Sequence, residues 1–159
     1  MKSLILLVTT MLLALPSFAQ EQSQETQQGF VHLAKYNEQK YYPYFDTLMH
    51  DRAIQGALKK LMGSDYKKYE QNTQQLDITD PLVGSDGVLR VYGAMPQLYT
   101  ISETALIVKP NGSIYAAVLE DGKRVLYYSN DKSMTRTLPK EFTKWSSRFS
   151  EVPVVYKSQ

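Results

Sequence analysis

TALIVKPNGSIYAAVLEDGKRVLYYS, residues 104–129, decides how the chain folds. Three runs rich in aliphatic, β-branched and aromatic residues are divided by Pro110-Asn111-Gly112 and by Asp121-Gly122, and both dividers are turn chemistry. Asp-Gly suits the two positive-φ positions of a tight hairpin, so TALIVK, SIYAAVLE and KRVLYYS read as consecutive antiparallel strands. A two-residue Asp121-Gly122 turn sets Val118 opposite Val125, Ala116 opposite Tyr127 and Tyr115 opposite Tyr128. A three-residue Pro-Asn-Gly loop sets Val108 opposite Ile114. One sheet face then carries Leu106, Val108, Ile114, Ala116, Val118, Val125 and Tyr127, an apolar surface that needs a cover.

Helical segments on either side in the chain supply it. VLRVYG, from Val88, keeps the period of two and adds a strand. Before it, DRAIQGALKKLMG places Ile54, Ala57, Leu58, Leu61 and Met62 on one helical face, with Asp51 as N-cap and Gly63 as stop. Ser64 can cap a second helix, in which Tyr66, Tyr69, Thr73 and Leu76 share a face. After the strands, Thr137-Leu138-Pro139 looks like a helix start, and Phe142, Trp145 and Phe149 are spaced as one buried stripe. That period makes the single Trp core and not a ligand platform. The expected fold class is α+β, a single-domain antiparallel β-sheet meander with helices packed on one face.

The chain opens MKSLILLVTTMLLALPSFAQ. Lys2 gives a positive start, Leu4 to Leu15 an apolar run, and Ser17-Phe18-Ala19 small residues where a signal peptidase reads. The run is shorter than the roughly 20 residues of a spanning helix, so residues 1–19 read as a signal peptide cleaved after Ala19 and not as an anchor. No cysteine follows, which excludes lipid attachment through a cysteine at the mature end. Residues 20–28, QEQSQETQQ, are a polar, disordered leader, and residues 29–159 form the domain. The protein is expected in the periplasm or outside the cell, with no membrane insertion after cleavage. The formal charge of +2 falls to +1 once Lys2 leaves, which rules out the clustered basic footprint of a nucleic-acid partner.

Most enzyme chemistry lacks its parts. Without cysteine there is no thiol nucleophile and no thiolate metal site. His32 and His50 fall outside any metal spacing, and neither a phosphate loop nor a Gly-x-Ser-x-Gly elbow occurs. Asp77, Asp80 and Asp86 cluster in LDITDPLVGSDG, but the spacing is not that of a calcium loop, and Pro81, Gly84 and Gly87 make it turn chemistry. The chain is therefore expected to be no enzyme, with no metal and no cofactor. Among the 12 tyrosines, Tyr41, Tyr42 and Tyr44 in KYYPYF either stack on sugar rings or pack the N-terminal segment against the domain.

VYGAMPQLYTISETALIV, residues 91–108, is the remaining anomaly. A hairpin needs only a short polar turn, yet here two strands are joined by a long loop holding Met95, Pro96, Leu98 and Tyr99. Either the loop is a surface made to be buried by a partner, with Pro96 limiting the entropy lost, or Met95 and Leu98 fold back on the sheet. From Phe45 onward the order of elements resembles the inhibitor-of-vertebrate-lysozyme (Ivy) family, as do TALIVKPNGSIYAAVLEDGKRVLYYSND and LPKEFTKW in order and spacing. The resemblance implies a small secreted protein whose protruding Cys-x-Pro-His-x-Cys loop, closed by a disulfide, places its His against the catalytic carboxylates of a lysozyme. Here Pro96 matches, Ala94 and Tyr99 stand at the cysteine positions, and Gln97 stands at the His position.

The resemblance thus implies a partner-binding loop of Met95, Pro96, Gln97, Leu98 and Tyr99, and a peptidoglycan hydrolase or lysozyme as partner. The protein would be a non-catalytic inhibitor of such an enzyme, or an immunity protein against one. Gln97 can donate an amide N–H to a carboxylate but cannot become cationic. A charge of +1 gives no steering toward a basic vertebrate lysozyme, which favours a different hydrolase. The alternative is a carbohydrate- or cell-wall-binding module using the tyrosine-rich segment; a homodimer is left open. Mass spectrometry of the secreted protein is expected to find Gln20 at its N-terminus, and an intact Met1 in a membrane fraction would contradict the signal-peptide reading.

Overall fold

Every residue of β3 (Glu103–Val108) and of β4 (Ile114–Glu120) is buried. Strands buried on both faces need a layer on each side. The structure, a computed structural model, describes Phe30, Leu33, Tyr36 and residues 50–76 and 83–157. The expected signal peptide and leader, together with Tyr41, Tyr42, Tyr44, His32, Asp77 and Asp80, lie outside the described residues. A six-stranded sheet runs in chain order: β1 (Gln75–Leu76), β2 (Leu89–Ala94), β3, β4, β5 (Arg124–Ser129) and β6 (Val154–Lys157). β2 to β5 are the four strands of the expected antiparallel meander; β1, which was not expected, adds to it antiparallel beside β2, and β6 returns parallel to β5. The fold is α+β.

The first cover is built as its sequence dictates. Asp51 caps α1 (Arg52–Met62), accepting the Ala53 and Ile54 N–H groups at 3.1 and 3.2 Å, and Gly63 ends the helix at φ +55°. The other Asp51 oxygen accepts the Tyr36 hydroxyl at 2.7 Å, which ties the N-terminal segment to the cap. α2 (Tyr66–Asn72) starts differently from expectation. The 3-10 turn Gly63–Asp65 leads straight into it, and Ser64 makes no cap. Tyr66, Tyr69 and Thr73 are buried as their spacing demands, while Leu76 has already left the helix for β1.

Two corrections follow from burial on both faces. Val108 does lie opposite Ile114. The next register, however, is one residue off the expected one: Glu120 pairs Arg124, Val118 pairs Leu126 and Ala116 pairs Tyr128. Asp121 and Gly122 do take positive φ, and the Lys123 N–H closes their turn on the Glu120 carbonyl at 2.9 Å. Lys123 is then left over, so the loop has one residue more than a two-residue hairpin. A slip of one residue turns every side chain to the opposite face. Leu126 and Tyr128 therefore join Leu106, Val108, Ile114, Ala116 and Val118 under α1 and α2, and Val125 and Tyr127 face away.

The second correction concerns that other face. It holds Ala105, Ile107, Tyr115, Ala117, Leu119, Val125 and Tyr127, and Phe142, Trp145 and Phe149 cover it. These three come from the 3-10 turn Lys140–Phe142, the short helix α3 (Thr143–Ser146) and the 3-10 turn Ser147–Phe149. The stripe is core, but helical segments pack on both faces and not on one.

Asp65 joins the two ends of this arrangement. Its carboxylate accepts the Tyr128 hydroxyl of β5 at 2.7 Å and faces Lys157 Nζ of β6 at 3.2 Å. The Tyr128 hydrogen bond, and then Lys157, hold the Asp65 carboxyl below the usual carboxylate range against the opposing effect of burial. A depressed folded-state pKa contributes stability that is present above the unfolded value of about 3.9 and is lost as pH falls through the folded value. Thermal melts from about pH 5 to pH 2 are expected to show a smaller acid-induced fall for Asp65→Asn than for the parent chain. Identical slopes would contradict this role.

Candidate functional site

The β2–β3 connection leaves the sheet after the Ala94–Glu103 pair. The Met95 N–H donates to the Ser102 carbonyl at 3.0 Å and closes its neck. Inside, two turns follow one another. The Leu98 N–H donates to the Met95 carbonyl at 3.0 Å, and the Ile101 and Ser102 N–H groups donate to the Leu98 carbonyl at 3.1 and 2.9 Å. Pro96 and Gln97 are the central residues of the first turn, Tyr99 and Thr100 those of the second. Gln97 stands at φ +65° and Thr100 at φ +64°. A proline followed by positive φ is the type II pattern, whose second central position glycine normally fills. Gln, and still more the β-branched Thr, is held there at a cost of about 1–2 kcal/mol each.

Two anchors from outside the loop hold it. Glu103, 1% exposed, accepts the Thr100 N–H at 2.8 Å through one carboxylate oxygen. Its other oxygen accepts from the guanidinium of Arg148, which projects from the Ser147–Phe149 turn on the second cover. On the opposite flank the Gly122 N–H, from the β4–β5 turn, donates to the Ile101 carbonyl at 2.8 Å. A Cβ on Gly122 would come within 3.2 Å of the Thr100 carbonyl oxygen, so glycine is what lets turn and loop approach.

The loop residues divide by direction. Met95 and Leu98 are half-buried, whereas Pro96, Gln97 and Tyr99 are exposed. Tyr99 is 49% exposed and Ile101 44%, an apolar pair at the surface. Tyr92, Gly93, Ala94, Tyr99, Glu103 and Arg148 line a shallow recess at the loop base. Sequence reasoning missed Ile101, though an apolar residue just past the second turn was visible. It also missed Glu103, Arg148 and Gly122 as loop anchors. Glu103 and Arg148 are 45 positions apart, so no local pattern joins them.

The other candidates separate from this site. Asp86 accepts the Val88 N–H at 3.0 Å and pairs with Arg90 Nη2 at 2.6 Å, and the Arg90 guanidinium chiefly holds its carboxyl down to about 2. That is a turn locked by its own charge partner. His50 is exposed just before α1. Among the described residues no group of three or more His, Asp or Glu side chains could hold a metal ion, and no helix is long and apolar enough to cross a membrane.

The family model of the inhibitor of vertebrate lysozyme (Ivy) matches residues 53–152, more than half the chain. The chain belongs to the Ivy family. No curated protein and no solved structure matches it. The matched span runs from α1 to the second cover and takes in the loop, Glu103, Gly122 and Arg148. The family is one of lysozyme inhibitors, and membership supports an inhibitor role.

The strain at Gln97 makes one measurable difference. Gln97→Gly relieves a positive-φ side chain at an exposed position and is expected to raise stability by up to about 1 kcal/mol, a few degrees in Tm. An unchanged or lower Tm would show that the relief does not exceed the chain entropy that glycine adds to the unfolded state.

Proposed function

We propose that this Ivy protein is secreted and blocks a peptidoglycan-cleaving enzyme by presenting the Met95–Tyr99 loop to its cleft. The observation that carries this reading is the loop itself: two turns, each closed by its own backbone hydrogen bond, that leave Gln97, Tyr99 and Ile101 exposed. A binding segment already held in one shape loses little conformational entropy on association. Glycosidase clefts carry a pair of carboxyl groups, and the Gln97 amide has N–H groups to donate to one. Such a bond from a neutral amide is weaker than one from a cation, so the surface of Tyr99 and Ile101 has to supply much of the affinity.

The overall charge narrows the partner. A formal charge of +2, or +1 without the signal peptide, gives no attraction to a basic lysozyme. A less basic hydrolase, including a bacterial one against which the protein confers immunity, suits that charge better. The family's target and the apolar N-terminal run together support a periplasmic or extracellular location.

The test compares a vertebrate c-type lysozyme with bacterial peptidoglycan hydrolases, reading turnover of labelled peptidoglycan with the protein added. Inhibition of at least one enzyme is expected. Changing Gln97 and Tyr99 together to Ala is expected to weaken it by at least about tenfold, with Tm moving by less than about 4 °C, as for exposed loop positions. Retention on purified peptidoglycan, with no enzyme inhibited, would make the protein a cell-wall-binding module.

A further inference from the structure

The loop backbone does not supply all of its own hydrogen bonds. The Met95, Leu98, Ile101 and Ser102 N–H groups are satisfied by backbone carbonyls of the loop, but the Thr100 N–H goes to a side chain, Glu103. Thr100 is also a β-branched residue at positive φ, where a released backbone relaxes to the ordinary basin. The carboxylate that pins it is almost wholly out of water, and a buried charge persists only with a counter-charge and hydrogen bonds. Arg148 supplies both. Its turn is itself anchored in the second cover, with the Trp145 and Phe149 rings 4.7 Å apart at 81°.

We propose that Glu103 and Arg148 are positioning residues for the loop. Their ion pair holds the Thr100 turn in the single form that displays Gln97 and Tyr99, and so keeps the free protein ready to bind. Binding affinity scales with the fraction of molecules in the competent form, so releasing the pin weakens binding by the factor by which that fraction falls. The affinity consequence rests on the inhibitor reading above; the conformational consequence does not.

Three variants separate the roles. Glu103→Ala removes the acceptor for Thr100, Glu103→Gln keeps an acceptor oxygen without the charge, and Arg148→Lys keeps a cation without the planar fork. Amide hydrogen exchange at Thr100 and at Val108, a core position, is followed by NMR in the free protein. Affinity for whichever enzyme the parent inhibits is measured alongside, with a vertebrate c-type lysozyme as the first probe. Glu103→Ala is expected to speed exchange at Thr100 by at least about tenfold, well beyond any change at Val108, and to weaken enzyme binding by a similar factor. Glu103→Gln is expected to restore only part of both, because its amide oxygen still accepts the Thr100 N–H while its NH2 stands donor to donor against the Arg148 guanidinium. Arg148→Lys is expected to fall between.

Exchange at Thr100 unchanged in Glu103→Ala overturns the proposal, as does a rise equal at Thr100 and Val108, which is general destabilisation. Full rescue by Glu103→Gln also overturns it, because the pairing with Arg148 would then be dispensable. If no enzyme is bound by the parent while Thr100 responds as expected, the positioning role stands and the inhibitor reading fails.

Discussion

Burial of β3 and β4 on both faces is the constraint from which the rest of the architecture follows. A strand with every side chain out of water needs two apolar layers, and α1 with α2 can supply only one of them. The chain beyond β5 therefore crosses the opposite face, laying Phe142, Trp145 and Phe149 over Ile107, Tyr115 and Tyr127. That crossing ends beside the first residue of β3. Arg148, carried by the last turn of the second cover, meets Glu103 there, and Glu103 reaches up into the β2–β3 loop. A demand of the core thus brings a charge partner to the base of the proposed binding surface.

The same constraint explains which parts of the fold were legible in the sequence. Turn chemistry at Pro110-Asn111-Gly112 and Asp121-Gly122, with the period-two runs between, is enough to draw the meander. The Asp51 cap and the Gly63 stop bound α1. Register was a different matter, because Val125, Leu126, Tyr127 and Tyr128 are all apolar and all buried, so no face preference opposes a slip of one residue. Phe142, Trp145 and Phe149 announced burial by their spacing but not the face they bury. The loop showed itself by Pro96 and its apolar neighbours. Its fixings did not, since a part-buried ion pair across 45 positions leaves no local pattern.

A chain without cysteine has to shape a projecting loop by other means. Here two residues other than glycine take positive φ, two consecutive turns satisfy most of the backbone, and Glu103 and Gly122 clamp the loop from either side. Each device is weak alone. The last two connect the loop to the rest of the domain: Gly122 to the β4–β5 turn, Glu103 through Arg148 to the second cover. What the loop exposes is a fixed shape, the Gln97 amide and the apolar surface of Tyr99 and Ile101.

On the proposed reading, this loop meets its partner in the conformation that the free protein already holds. A crystal structure of the protein bound to a peptidoglycan hydrolase that it inhibits tests it most directly. Gln97 and Tyr99 are expected in the enzyme's cleft, with loop Cα atoms within about 1 Å of their free positions, as in other preorganised complexes. An enzyme seated on another face, or a loop refolded in the complex with Gln97 and Thr100 at negative φ, would contradict it.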